Sequence, residues 1–153
     1  MHRLIEARLS VPVNGWMGFD LQIADNRHTF QVSYTPNDFL DELVTALFLA
    51  AKGIAGVALA HAEPTVIELA FSPDLQSDQL SLTVIEYSDW GRRIGHNRPL
   101  FAVQGSTESI VVAFWRSLRR LQSEVTPDEY RERMRRDFPT ARVLNLSRLL
   151  GKV

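Results

Sequence analysis

His61 and Glu63 stand two residues apart, the spacing at which side chains of a β-strand share one face. A carboxylate beside an imidazole raises its pKa and orients it, which suits a general base in a small hydrolase-like enzyme. The same pair would also fix a turn before Pro64, and the sequence points to no nucleophile that such a base would activate. His2, His28 and His96 are scattered, no HExxH pattern occurs and cysteine is absent, so neither a metal nor another cofactor is expected. His28 alternates with Phe30 as a half-buried strand residue would. There is no GxSxG, and Gly91, Gly95 and Gly105 form neither a GxxxxGK[ST] loop nor a GxGxxG turn. Asp38, Asp41 and Glu42 belong to a helix start and its solvent face, which accounts for all three without acid/base chemistry.

Recognition chemistry is better represented. Ser88 to Pro99, SDWGRRIGHNRP, places Trp90 beside Arg92 and Arg93, with Arg98 close behind. Trp and Arg together are common interface anchors, although a loop tryptophan can also fold back as an apolar plug. Trp115 neighbours a helical apolar face, and Trp16 opens a strand where it could cover a sheet edge. Residues 1–91 carry four Arg/Lys against twelve Asp/Glu, a balance of −8, and residues 92–153 carry thirteen against six, or +7. Such a chain can steer partners of either charge or pair its own halves. Arg116, Arg119 and Arg120, then Arg131, Arg133, Arg135 and Arg136, suit phosphate contacts. Glu124, Asp128, Glu129, Glu132 and Asp137 interrupt that charge, so nucleic-acid binding stands second to protein binding.

The elements that must hold these residues begin with Thr35 to Gly53, the strongest helix signal. Thr35 can cap it, Pro36 fits the first helical position and Gly53 ends it, while Phe39, Leu40, Leu43, Val44, Leu47 and Phe48 form one apolar stripe. Alternation marks strands at 2–11, 17–24 and 28–34 before this helix. Strands at 57–61, 65–71 and 80–87 follow it, with a short returning strand at 100–104. Small residues around Gly56 permit close approach to a helix. Helices follow from Ser106 or Thr107, from the Thr126-Pro127-Asp128-Glu129 start, and over 140–149 beyond Pro139. The expected fold is α+β: an antiparallel sheet of six or seven strands covered by a central helix, with a helical C-terminal third, in one domain over 1–153. With 45% hydrophobic and 23% charged residues, no apolar run of spanning length and no signal-peptide pattern near Met1, a cytoplasmic protein without membrane contact is expected.

YTPNDFLDELVTALFLAAKG at Tyr34 to Gly53, HAEP at His61 to Pro64 and DFP at Asp137 to Pro139 resemble a group of small bacterial proteins, some similar to immunity proteins that block a toxin. The resemblance implies a non-enzymatic protein-binding domain that occludes its partner by surface contact, and it assigns no binding residues. Against a basic toxin the surface to consider is Asp20, Asp25, Asp74, Asp78 and Asp89; against an acidic partner, Trp90 with Arg92, Arg93 and Arg98. A homodimer is compatible with the sequence.

Overall fold

The computed structural model describes residues 4–92 and 96–152. Three strands lead, β1 (Ile5–Leu9), β2 (Trp16–Ile23) and β3 (Asn26–Ser33), followed by helix α1 (Phe39–Ala51). Four more strands come next, β4 (Gly56–His61), β5 (Val66–Pro73), β6 (Gln79–Tyr87) and β7 (Asn97–Ser106). The chain ends in α2 (Thr107–Glu124), α3 (Pro127–Met134) and α4 (Thr140–Leu149). The seven strands do not share the single sheet expected from the sequence: β1-β2-β3 form one antiparallel sheet and β4-β5-β6-β7 another.

The division has a local cause at β4. This edge strand turns a free peptide outward at Leu59, and two side chains from the start of α1 satisfy it. Glu42 accepts the Leu59 N–H at 3.1 Å, and the Asn37 amide donates to the Leu59 carbonyl at 2.9 Å and to Glu42 at 2.6 Å. A strand could not pair there without displacing both, so β3 and β4 remain in separate sheets. Glu42 is therefore not the solvent-face carboxylate its helical position suggests. On the far edge, Pro99 lies in β7 opposite Ile85, beside a register shift between Val84 and Ile85. Proline cannot donate to a further ladder, and a bulge turns the edge away.

Helix α1 is consequently not a lid over one sheet. It packs on β4 and β5 and against α2 and α4, while α2 reaches β1, β6 and β7. The buried side chains of both sheets and all four helices form one cluster, with Phe19 against Phe39 at 5.2 Å and Phe71 edge-on to Phe114 at 5.6 Å. Each such ring contributes about 1.5–3 kcal/mol relative to exposure. At Gly56 a Cβ would stand 3.3 Å from the Ala46 Cα, so the missing side chain lets α1 lie close on β4.

Caps were partly legible. Ser106 caps α2 through the Ser109 N–H, and Thr126 and Glu129 form a reciprocal capping box at α3. At α1 the cap is Asp38, accepting from the Asp41 N–H at 3.3 Å, and not Thr35; the helix begins at Phe39. Residues 35–37 are instead committed to the approach to β4, where Asn37 is bound. The returning strand β7 is longer than its apolar core, because it starts in the polar stretch Asn97-Arg98-Pro99 opposite β6.

Candidate functional site

The strand register of the four-stranded sheet sorts its side chains into two faces. Ala58, Ala60, Ile67, Leu69, Phe71, Leu80, Leu82 and Val84 turn into the core. The alternate residues lie in rows across the other face: His61, Val66, Tyr87, Asn97; then Leu59, Glu68, Ile85, Pro99; then Val57, Ala70, Thr83, Ala102. Val57 is 46% exposed, and Leu59, Ala70, Thr83, Ile85 and Tyr87 are half-buried, so this face is open along most of its length. A fourth row, Ser72, Ser81 and Gln104, completes it, so the face is mixed: apolar along Val57, Leu59, Ala70 and Ile85, polar at both ends, with Glu68 near its middle.

Beyond β6, Trp90 and Arg92 fold back over one end of that face. Trp90 sets its ring edge-on to His61, 5.3 Å between centroids, yet stays 49% exposed. Arg92, in a left-handed backbone conformation with φ of 50°, reaches Glu68 on β5 at 2.7 Å. The Tyr87 hydroxyl donates to the other Glu68 oxygen at 3.1 Å. Burial and the adjacent Glu68 carboxylate push the Tyr87 phenol above its ordinary value, which keeps it a hydrogen-bond donor. These residues thus neutralise the charge of Glu68 on the sheet face and present a tryptophan beside it.

Beneath Trp90, His61 is buried, and its Nδ1 has no hydrogen-bond partner. Burial lowers its pKa; Glu42 and Glu63 pull it up and Arg92 pushes it further down. Glu63 does not continue the strand alternation that would have set it beside His61. β4 ends at His61, and Glu63 is an exposed turn residue with φ of 41°. The arrangement supplies an imidazole held neutral, without a nucleophile bonded to it. Among the described residues no group of three or more His, Asp or Glu could hold a metal ion.

The remaining residues singled out from sequence are dispersed. Asp20 lies on the three-stranded sheet, paired with Arg27 at 3.0 Å, and Asp25 sits in the turn between β2 and β3. Asp74 serves its own loop, accepting from the Gln76 N–H and the Ser77 hydroxyl, both at 3.0 Å, and the backbone bond holds its pKa down. The Asp78 carbonyl receives the Thr107 N–H at the start of α2. Asp89 adjoins Trp90, so Asp74 and Asp78 are separated from it by the length of β6, about 30 Å at strand rise. Arg98 pairs with Glu86 at 3.1 Å, and Arg93 lies outside the described residues. Several C-terminal arginines are engaged in separate places: Arg136 donates to the Tyr34 carbonyl at 2.8 Å, Arg131 pairs with Asp128 at 2.8 Å and Arg142 with Asp41 at 2.7 Å. Sequence reasoning missed Glu68 and Tyr87, whose only signal was a polar residue in each of two apolar strands.

No protein-family model matches the chain, and no curated protein matches it. Among solved structures, a chain of the CdiA-CT/CdiI toxin and immunity complex from Enterobacter cloacae is similar to it at 10% identity. The match covers 76% of this chain and 97% of that one, with a TM-score of 0.45, a likeness too distant to carry a functional conclusion. No helix among the described residues is long and apolar enough to cross a membrane.

Proposed function

We propose that this protein, acting as one α+β domain over residues 1–153 in the cytoplasm, binds another protein and occludes it, in the manner of an immunity protein. The observation that carries the reading is Trp90: nearly half exposed, seated on His61 and standing at the end of an open sheet face. A large, half-exposed aromatic packed at the rim of an open sheet face that carries apolar contact area is the form a binding hot spot takes. Val57, Leu59, Ile85 and Tyr87 would supply contact area, and Arg92, already paired to Glu68, would reach partner acceptors with its remaining donors. The isolation of His61 from any nucleophile supports binding over the hydrolase alternative on His61 and Glu63. Engagement of Arg131, Arg136 and Arg142 with protein groups supports it over an extended nucleic-acid track.

Affinity capture from the native cell, followed by calorimetry with the recovered partner, tests the proposal. Trp90→Ala should weaken binding by about 2 kcal/mol or more, and Asp74→Ala, at the opposite end of the sheet, by less than about 0.5 kcal/mol. Recovery of a toxin-like partner whose growth inhibition is relieved by this protein would support the immunity role. Equal affinity of wild type and Trp90→Ala, or turnover of a small molecule that His61→Gln abolishes, would refute the reading.

A further inference from the structure

A concave site lies between α2 and the outer face of the three-stranded sheet. It is an open cleft of about 310 Å³. Strand alternation sends Ile5, Leu21 and Ile23 into the core and leaves Glu6 and Arg8 on β1, Asp20 on β2 and Arg27 on β3 facing outward. Arg116 and Arg120, one turn apart on α2, close the other side. Among the described residues, four arginines from three elements therefore line one cleft with two carboxylates.

Their pairing is incomplete. Arg27 is held by Asp20 at 3.0 Å and Arg120 by Glu124 at 3.1 Å. Among the described residues, Arg8 and Arg116 have no hydrogen-bonded or ion-paired acceptor. Their guanidinium donors are available to a ligand, and four arginines against Glu6 and Asp20 leave the cleft a net positive charge that favours an oxyanion. β1 adds backbone donors. The Ser10 N–H bonds to the Gly18 carbonyl, so in an antiparallel ladder Arg8/Asp20 and Glu6/Gln22 are the hydrogen-bonded pairs, and the Ala7 N–H turns to the free edge.

We infer that this cleft binds the phosphoryl groups of a small phosphorylated compound, with Arg8 and Arg116 as its primary ligands. Guanidinium forks match phosphate oxygens in a bidentate way that a lysine pair would not. Among the described residues no aromatic side chain lines the cleft, so they offer no platform on which a nucleobase could stack. Recognition therefore rests on the phosphates, and a concavity of this volume suits a small molecule better than a duplex backbone.

The test is calorimetric titration of the full chain at low ionic strength with pyrophosphate, ADP and adenosine. Pyrophosphate and ADP should bind alike and adenosine not at all. Arg8→Gln and Arg116→Gln should each weaken pyrophosphate binding about tenfold. Arg119→Gln should leave it unchanged, since that guanidinium bonds Gln122 at 3.0 Å and lies outside the cleft. Should a variant fail to fold, side-chain Nε–H shifts of Arg8 and Arg116 in the wild-type protein on adding pyrophosphate give the same answer. The inference fails if pyrophosphate does not bind at millimolar concentration, if Arg119→Gln weakens it equally, or if only a short RNA duplex binds.

Discussion

Protonating His61 would place a charge in a buried position beneath the Trp90 ring, where Nδ1 has no acceptor to receive the new proton. Burial is the largest cause of its lowered pKa; of the charges around it, Glu42 and Glu63 favour the charged form and Arg92 opposes it. The unfolded chain takes up this proton near the ordinary value of 6.5, and the folded chain only at lower pH. The His61 contribution to stability is therefore constant above that value, declines as pH falls through it, and levels off below the folded pKa. Urea midpoints measured from pH ~8 to ~5 should fall, and His61→Gln should flatten the first part of the decline; an unchanged profile would contradict the neutral, buried imidazole. At Glu68 the carboxylate is 14% exposed and the Arg92 side chain 38%. Arg92→Ala should cost about 1 kcal/mol, the upper end for a solvent-accessible pair, and Glu68→Gln in the same background should recover part of it.

Helices α1, α2 and α3 depend on bonds of different reach. The capping box at α3 is written within four residues, and Thr126→Ala should lower stability by about 1 kcal/mol in a denaturant titration. The Asn37–Glu42–Leu59 contact instead closes a sheet edge. Glu42→Leu leaves the Leu59 N–H without its acceptor at a cost of about 1–3 kcal/mol and uncovers β4. Concentration-dependent association of that variant, seen by light scattering, is the expected accompaniment; a monomer of wild-type stability would mean the edge is guarded some other way. α4 is tied to α2 by the Trp115 Nε1–H on the Ser147 hydroxyl at 2.8 Å, and that hydroxyl donates onward to Val143. Trp115→Phe keeps the apolar contact and removes the bond, so amide exchange should quicken in α4 before the strands.

Across the whole molecule the opposite charges of the two halves meet each other. Arg92–Glu68, Arg98–Glu86 and Arg142–Asp41 each join the basic C-terminal part to the acidic N-terminal part. The asymmetry in sequence is thus partly internal pairing. These pairs are solvent-accessible and worth about 0–1 kcal/mol each, so raising salt to about 1 M should lower stability by no more than ~2 kcal/mol. A larger loss would mean that charge, not the apolar cluster, holds the halves together.

What the sequence determined by itself was much of what is encoded over a few neighbouring residues, although it placed the α1 cap at Thr35 instead of Asp38 and did not separate Ser106 from Thr107. Ser106 and the Thr126–Glu129 box fix helix starts through bonds spanning three residues. Gly53, with φ of 81°, ends α1 where its lack of a side chain is required. Alternation placed Leu9, Phe19 and Phe71 in the core before any contact was known. Tertiary structure alone decided how the strands divide and which polar groups meet. Asn37 reaches Leu59 across 22 positions, Arg92 reaches Glu68 across 24, and Arg136 reaches Tyr34 across 102. The physical reason is the reach of the forces: turn and cap bonds close within one turn of chain, whereas a buried or edge polar group takes whatever donor the packing delivers. Glu42 has the same place in its helix whether it faces water or the Leu59 amide, and only the arrival of β4 distinguishes the two.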